Sequence, residues 1–301
     1  MFYPRPMQVE YRIEPCKSAL TQVRGMPFRW SLNPYMGCAH RCTFCYVRHF
    51  EQRAERPSDD RYGRSIRVKP NVAEVLRREL ARPSWERDEV ALGTATDPYQ
   101  PAEGRFRLTR ACLVELDAAW TPFSIVTRGP LVVRDIDVLQ EATSRAGAEV
   151  FLSLPTLDER VWRTTEPGTA PPASRLEAIR RLAEARIDVG VGIAPILPGL
   201  SDDPAQLEAV VRAARAAGAR TIWASVVHLR PGVKVHFLEA LARDWPEEVA
   251  RYEVLFASRA YLGAATTGPI VEPVRRAAAA APSPRRRPPR TSAPRQLSLV
   301  V

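Results

Sequence analysis

The sequence predicts an α/β protein built on parallel strands, and three observations carry that prediction. Short apolar runs alternate with amphipathic stretches of helical period from about residue 30 to about residue 230. Runs such as Phe123-Ser124-Ile125-Val126 are continuously apolar, as strands covered on both faces are. At 301 residues, with 45% hydrophobic and 26% charged residues, the chain is long enough for one large domain or two small ones.

Residues 1–30 form an N-terminal extension, polar and without a clear period. A first strand is expected at Trp30–Pro34. Asn71 to Ala81 has helical spacing, with Val72, Val75, Leu76 and Leu80 on one face and Asn71 placed as N-cap after Pro70. Further strands are expected at Val90–Ala95, Phe123–Thr127, Glu149–Leu154, Asp188–Pro195 and Arg220–Val227. Helices are expected at Leu108–Trp120, Val132–Arg145, Ser174–Ala185 and Pro204–Ala217, the last capped by Asp202 or Asp203 and followed by Gly218 at its C-terminal end. Six βα units follow from this count. They fit either an open sheet or an incomplete barrel, and both gather functional groups at the C-terminal ends of the strands. The core then spans residues 31–230, a helical cap 231–272, and a disordered Arg/Pro-rich tail 273–301. Trp223 and most other aromatic residues read as core.

The net charge of +10 suggests a nucleic-acid partner, but much of it sits in the tail. Residues 273–301 hold seven arginines and no acid, which leaves +3 for the first 272 residues. No signal peptide and no apolar run near the roughly 18 residues of a membrane span is seen, so a cytoplasmic location away from membranes is expected. Five cysteines, three of them clustered, do not make a disulfide framework.

Those three cysteines carry the chemistry. Cys38, Cys42 and Cys45 have the spacing C-x3-C-x2-C on one short loop after the first strand. Three thiolates there can hold three irons of a [4Fe–4S] cube and leave the fourth open to a cofactor. The rival reading is a structural zinc site with His40 or His49 as fourth ligand, in a nucleic-acid-binding module without catalysis.

The string from Asn33 to Tyr46, with Phe44 before the third cysteine, resembles the radical S-adenosylmethionine (SAM) superfamily and, within it, the spore photoproduct lyase-like or DNA repair photolyase-like branch. The resemblance, over roughly residues 5–265, implies an incomplete (β/α)6 barrel of parallel strands. It implies that Cys38, Cys42 and Cys45 ligate the cluster and that SAM binds the open iron through its amino and carboxylate groups. An external electron donor then drives cleavage of SAM to methionine and a 5′-deoxyadenosyl radical, which abstracts a hydrogen atom from the substrate. DNA is the substrate the resemblance suggests, with a peptide or small metabolite as the alternative.

Other positions follow from the resemblance. Thr94 and Thr96, in the turn after the second strand, are expected at the cofactor, as are Phe44, Arg128 for the SAM carboxylate and Ser153 for the ribose. The Gly190–Gly199 stretch resembles a strand that passes the adenine in these folds. His228 and Arg230 end the sixth strand facing the site. Spore photoproduct lyases carry a hydrogen-returning cysteine where this chain has Thr94, and a hydroxyl cannot replace a thiol there. Cys112 reads as core, and Cys16 has no assigned place. Finally, Gln296-Leu297-Ser298-Leu299-Val300 resembles the peptide by which bacterial repair proteins dock on the sliding clamp, beside a basic stretch at Arg285–Arg290.

Overall fold

Seven strands form one sheet, six of them parallel and in chain order, and this sheet carries the site. The computed structural model describes residues 9–281. The clamp-like peptide Gln296–Val300 and the Arg285–Arg290 stretch lie outside the described residues. In chain order the first elements are β1 (Glu10–Ile13), β2 (Leu20–Gln22), β3 (Trp30–Leu32), β4 (Tyr35–Met36), α1 (Val47–Arg53), β5 (Ser65–Val68) and α2 (Val72–Leu80). Then come β6 (Val90–Leu92), α3 (Pro101–Phe106), α4 (Leu108–Ala118), β7 (Phe123–Thr127), α5 (Ile136–Arg145), β8 (Ala148–Ser153), α6 (Glu159–Thr165) and α7 (Pro172–Glu184). The chain continues through β9 (Asp188–Ile196), α8 (Pro204–Ala216), β10 (Thr221–Val226), α9 (Pro231–Asp244), α10 (Val249–Leu255) and α11 (Ala264–Ala280).

The large sheet runs β10-β9-β8-β7-β6-β3-β2, with β3 and β6 to β10 parallel and β2 antiparallel to β3. Its two end strands do not pair with each other, so it is a partial barrel. Strand residues alternate between two environments. Phe123, Ile125, Val150, Leu152, Val189, Val191 and Ile193 pack outward against the helices in the main core, while Ser31, Arg128, Ser153 and Gly192 occupy the inner face. A small sheet, β1-β5-β4, flanks the first strand.

Several expectations change. The N-terminal extension supplies β1 to the small sheet and β2 to the large one. Asn71 precedes α2 but does not cap it. Its side chain accepts from Cys16 N at 2.9 Å and donates to Cys16 O at 3.0 Å, which fastens the N-terminal segment. Cys112 is buried in the main core, and Cys16 packs against it from the same side. Asp203 caps α8 by accepting from Gln206 N, while Asp202 accepts from Gly199 N. The start of the disordered tail at residue 273 is corrected: α11 runs through Pro269 and Pro273 to Ala280. Val271 and Val274 are buried on the main core, and Arg276 pairs with Glu208 at 2.8 Å. That apolar face offsets the backbone bonds the prolines forfeit. No helix among the described residues is long and apolar enough to cross a membrane.

Candidate functional site

The cysteine loop leaves β3 and β4 at the C-terminal end of the parallel sheet and is held there by side chains from three other loops. Gly37, at φ +82°, turns the chain into the loop. Its carbonyl accepts from Thr96 Oγ1 at 2.6 Å and from Gln100 Nε2 at 3.0 Å. Gln100 is fully buried, and its Oε1 accepts from Ala39 N at 3.0 Å. Thr96, expected at the cofactor, thus has its hydroxyl on the backbone of the cysteine loop. Thr94 is bonded differently: its Oγ1 lies 2.6 Å from Ser31 Oγ and accepts from Asn33 Nδ2 at 3.1 Å. Its carbonyl accepts from the hydroxyl of Tyr46. Asn33 Oδ1 accepts from Ala95 N at 2.8 Å, so one side chain ties the ends of β3 and β6 together.

Two glycines let backbone press on the loop. A Cβ on Gly63 would collide with the carbonyl oxygen of Cys38, and one on Gly168 with that of Ala39. Gly168 N also donates to His40 O at 3.0 Å, and Thr43 N donates to Thr165 O at 2.9 Å, so the segment after α6 braces the loop from the far side.

Beneath the loop lies Asp97, buried and fully engaged. It accepts from Thr127 Oγ1 at 2.6 Å, Tyr99 N at 2.8 Å and Arg128 N at 2.7 Å, and faces His40 Nδ1 at 3.2 Å. Burial alone would raise its pKa; His40, Thr127 and the Arg128 amide outweigh burial and hold it at about 2. Arg128 reaches the inner face with Nε 2.5 Å from Glu166 Oε1, Nη2 3.1 Å from Ala194 O, and its guanidinium 5.5 Å from the centre of the Phe44 ring. Glu166 is also paired with the buried Arg175 at 3.0 Å. Two guanidiniums share the Glu166 carboxylate, and the Asp97 carboxylate also acts on Arg128, so the two cations face two buried anions. Ser153 is buried at the end of β8, its carbonyl accepting from Arg175 Nη1 at 3.0 Å.

Cys38 and Cys42 are buried and Cys45 is partly exposed. Burial, then Asp97 and the other two sulfurs, pushes the Cys38 thiol well above its ordinary value; burial pushes Cys42 up to about 12. Two sulfurs so buried become thiolates together when a metal supplies the opposing charge, so the donor set suits a metal group. Among the described residues no three Cys, His, Asp or Glu side chains are gathered about a single ion. One zinc ion would hold its thiolates at about 2.3 Å each, whereas a cube spreads three ligands over three irons. His40 faces Asp97 through Nδ1, and His49 lies on α1 with its ring 6.0 Å from that of Phe50.

The mouth is lined by flat rings. Tyr46 lies 5.9 Å from His228, which stacks on Tyr261 at 4.8 Å and 10°, and Arg230 donates to Tyr261 Oη at 3.1 Å. Trp223, expected in the core, is instead 40% exposed on the inner face of β10. Its neighbours Ile222 and Ala224 take the outward positions, and its indole fills the space that a Cβ on Gly192 would need. Sequence reasoning also missed Asn33, Gln100, Glu166, Arg175 and Gly168. Only Gly168, following Glu166-Pro167, carried a local signal, that of a turn.

Residues 32–211 match the family model described as the radical SAM superfamily. The chain is 40% identical over 250 residues to an uncharacterised protein of Mycobacterium tuberculosis, covering 82% of this chain and 74% of that one. It is 30% identical over 224 residues to an uncharacterised protein of Acidianus two-tailed virus, covering 70% and 71%. Among solved structures it is similar to spore photoproduct lyase complexed with dinucleoside spore photoproduct, at TM-score 0.66 and 13% identity over 89% of this chain and 78% of that one. A variant of the same enzyme with bound AdoMet and dinucleoside spore photoproduct gives TM-score 0.58 and 14% identity over 82% and 79%. At these identities the likeness is one of fold.

Proposed function

Because the chain belongs to the radical SAM superfamily of enzymes, we propose that Cys38, Cys42 and Cys45 each ligate one iron of a [4Fe–4S] cluster that cleaves SAM for hydrogen abstraction from DNA or a related nucleic-acid substrate. The observation that carries this reading is the placement of three thiols on one loop at the strand ends, strapped by Thr96 and Gln100, with the Arg128 guanidinium beside Cys42. A cluster held by Cys38, Cys42 and Cys45, with SAM bound to it, would supply the one-electron chemistry for hydrogen abstraction.

The chain's own residues bind and orient. Arg128 presents a guanidinium on the inner face, which suits the carboxylate of SAM. Phe44, buried with Cys42, Val161 and Leu197, keeps water from that charge. Thr96 acts through the loop it holds. Thr94 stands at the end of β6 with its hydroxyl already shared by Ser31 and Asn33, and Ser153 stands ready for the ribose.

The stacked rings of His228 and Tyr261, with Tyr46 and Arg230 beside them, suit a flat base and a phosphate. This supports a nucleic-acid substrate over a peptide or small metabolite. Among the described residues Cys16 and Cys112 lie in the helix-side core, away from this mouth, so a thiol-returned hydrogen of the spore photoproduct lyase kind is not part of the proposal.

The test is electron paramagnetic resonance of anaerobically reconstituted, dithionite-reduced protein with and without SAM, followed by deoxyadenosine release with ultraviolet-damaged DNA, intact DNA and no DNA. A cluster signal that changes with SAM, and release stimulated by DNA, are expected. A signal indifferent to SAM sinks the cofactor reading, and release indifferent to DNA sinks the substrate.

A further inference from the structure

Arg48, the second residue of α1, is 1% exposed, and among the described residues it has no carboxylate partner. The acids around it are turned to other arginines: Asp59 to Arg61 at 2.8 Å, Asp60 to Arg64 at 3.0 Å and Glu51 to Arg67 at 2.8 Å. Its guanidinium donates instead to backbone carbonyls. Nη1 reaches Ser58 O at 2.8 Å and Asp59 O at 2.5 Å, while Nε and Nη2 reach Cys42 O and Arg41 O, both at 3.4 Å. Its Cζ lies 4.5 Å over the ring of Tyr62, whose hydroxyl is 3.7 Å from Cys45 Sγ.

A buried charge without a counter-ion is costly, and carbonyl dipoles and a ring face reduce that cost without cancelling it. Nor does the surrounding structure cancel the charge. Burial, then Arg48 and two further arginines, pushes the pKa of His236 on α9 down to about 4, so that neighbour stays neutral. Two of the four acceptors, Arg41 and Cys42, belong to the cysteine loop itself. The charge is therefore set against the backbone that carries the thiols.

We propose that Arg48 is the built-in counter-charge of the iron–sulfur cluster, a positioning residue that favours the reduced state and slows the loss of iron. This rests on the cluster reading above. A cube held by three thiolates is anionic and gains one further negative charge when it accepts an electron from an external donor; no proton moves. A fixed buried cation stabilises that added charge and raises the reduction potential. A guanidinium kept merely to brace the Ser58–Asp59 turn would leave the potential unchanged.

The experiment is a potentiometric titration of the reconstituted cluster, followed by electron paramagnetic resonance, in the wild type, Arg48→Gln and Arg48→Lys, with thermal melts of each protein iron-free and loaded. At a fixed potential Arg48→Gln is expected to lower the ratio of reduced to oxidised cluster about tenfold, which is about 59 mV for one electron. Arg48→Lys recovers most of it, and Arg48→Gln lowers the melting temperature of the loaded protein more than that of the iron-free one. A Gln variant that folds but sheds its cluster, while the Lys variant keeps it, also supports the proposal. A Gln variant that holds a full cluster at the wild-type potential overturns it. So do Gln and Lys variants that both fail to fold without iron, since the side chain is then scaffold. Wild-type protein that takes up no iron or sulfide removes the cluster reading, and this proposal with it.

Discussion

Asp97 shows how much of this site depends on one side chain. Its two oxygens serve the cysteine loop through His40, the end of β7 through Thr127 and Arg128, and its own turn through Tyr99 N. The sequence marks Asp97 only as a turn residue before Pro98, because its partners beyond that turn, His40, Thr127 and Arg128, are 30 and more positions away in sequence and no local pattern encodes them. Asp97→Asn keeps one acceptor but turns an amide N–H₂ toward donors, and is expected to cost about 2–4 kcal/mol of stability. The carboxyl is held at about 2, below its ordinary value of 3.8. Its contribution is therefore full above pH 4 and is lost as pH falls from about 4 through 2. Urea midpoints of wild type and variant should differ at pH 7 and converge toward pH 2. A constant gap would show that ionisation of Asp97 contributes nothing.

At the scale of elements, the strands were the most legible part. Phe123–Thr127 is a strand residue for residue as its apolar run predicts, and the starts of β6 and β9 also fall where expected, since burial between helices leaves a continuous apolar signature. The gathering of the three cysteines on one loop was legible because it is a matter of spacing alone. The bracing of that loop was not, because Gly63, Gln100 and Gly168 approach it from distant segments. The bracing makes a prediction. Gly168 has an ordinary backbone conformation, so Gly168→Ala fails only by contact, with its new Cβ against Ala39 O and 2.8 Å from His40 Cα. Relief costs about 1–3 kcal/mol and moves the loop that carries the thiols. Iron content after reconstitution should fall by more than half. Gly263→Ala, which meets nothing within 4 Å, should load like the wild type. Equal loading of the two would mean that the loop tolerates displacement.

At the scale of the molecule, a partial barrel must cover the outer face of its last strand, and the sequence reading ended its helical cap at residue 272, inside the helix that does so. On β10, Ile222, Ala224 and Val226 face outward into the main core, and α11 lies over them with Val271 and Val274. The interior prolines and alanine-rich composition of α11 disguise its second half, from Pro273, as tail, because its burial depends on tertiary packing against α8 and β10, which a propensity reading does not see. Two bonds fasten it there: Arg276 to Glu208 at 2.8 Å and Arg215 Nη2 to Ala278 O at 3.1 Å. Burying two valines and their neighbours stabilises the fold by about 3–6 kcal/mol, against a total of about 5–15 kcal/mol for a domain. A chain ended at Ala281 keeps α11 and both of these bonds. A chain ended at Gly263 would expose the outer face of β10, lose most of its stability and aggregate. The same chain should lose the inner face as well, since Trp223 and Ser225 alternate with the residues that α11 covers. Thermal melts and gel filtration of the two truncations check both statements; a Gly263-ended protein that is monomeric and melts with the full chain would show that the sheet closes its own edge without α11.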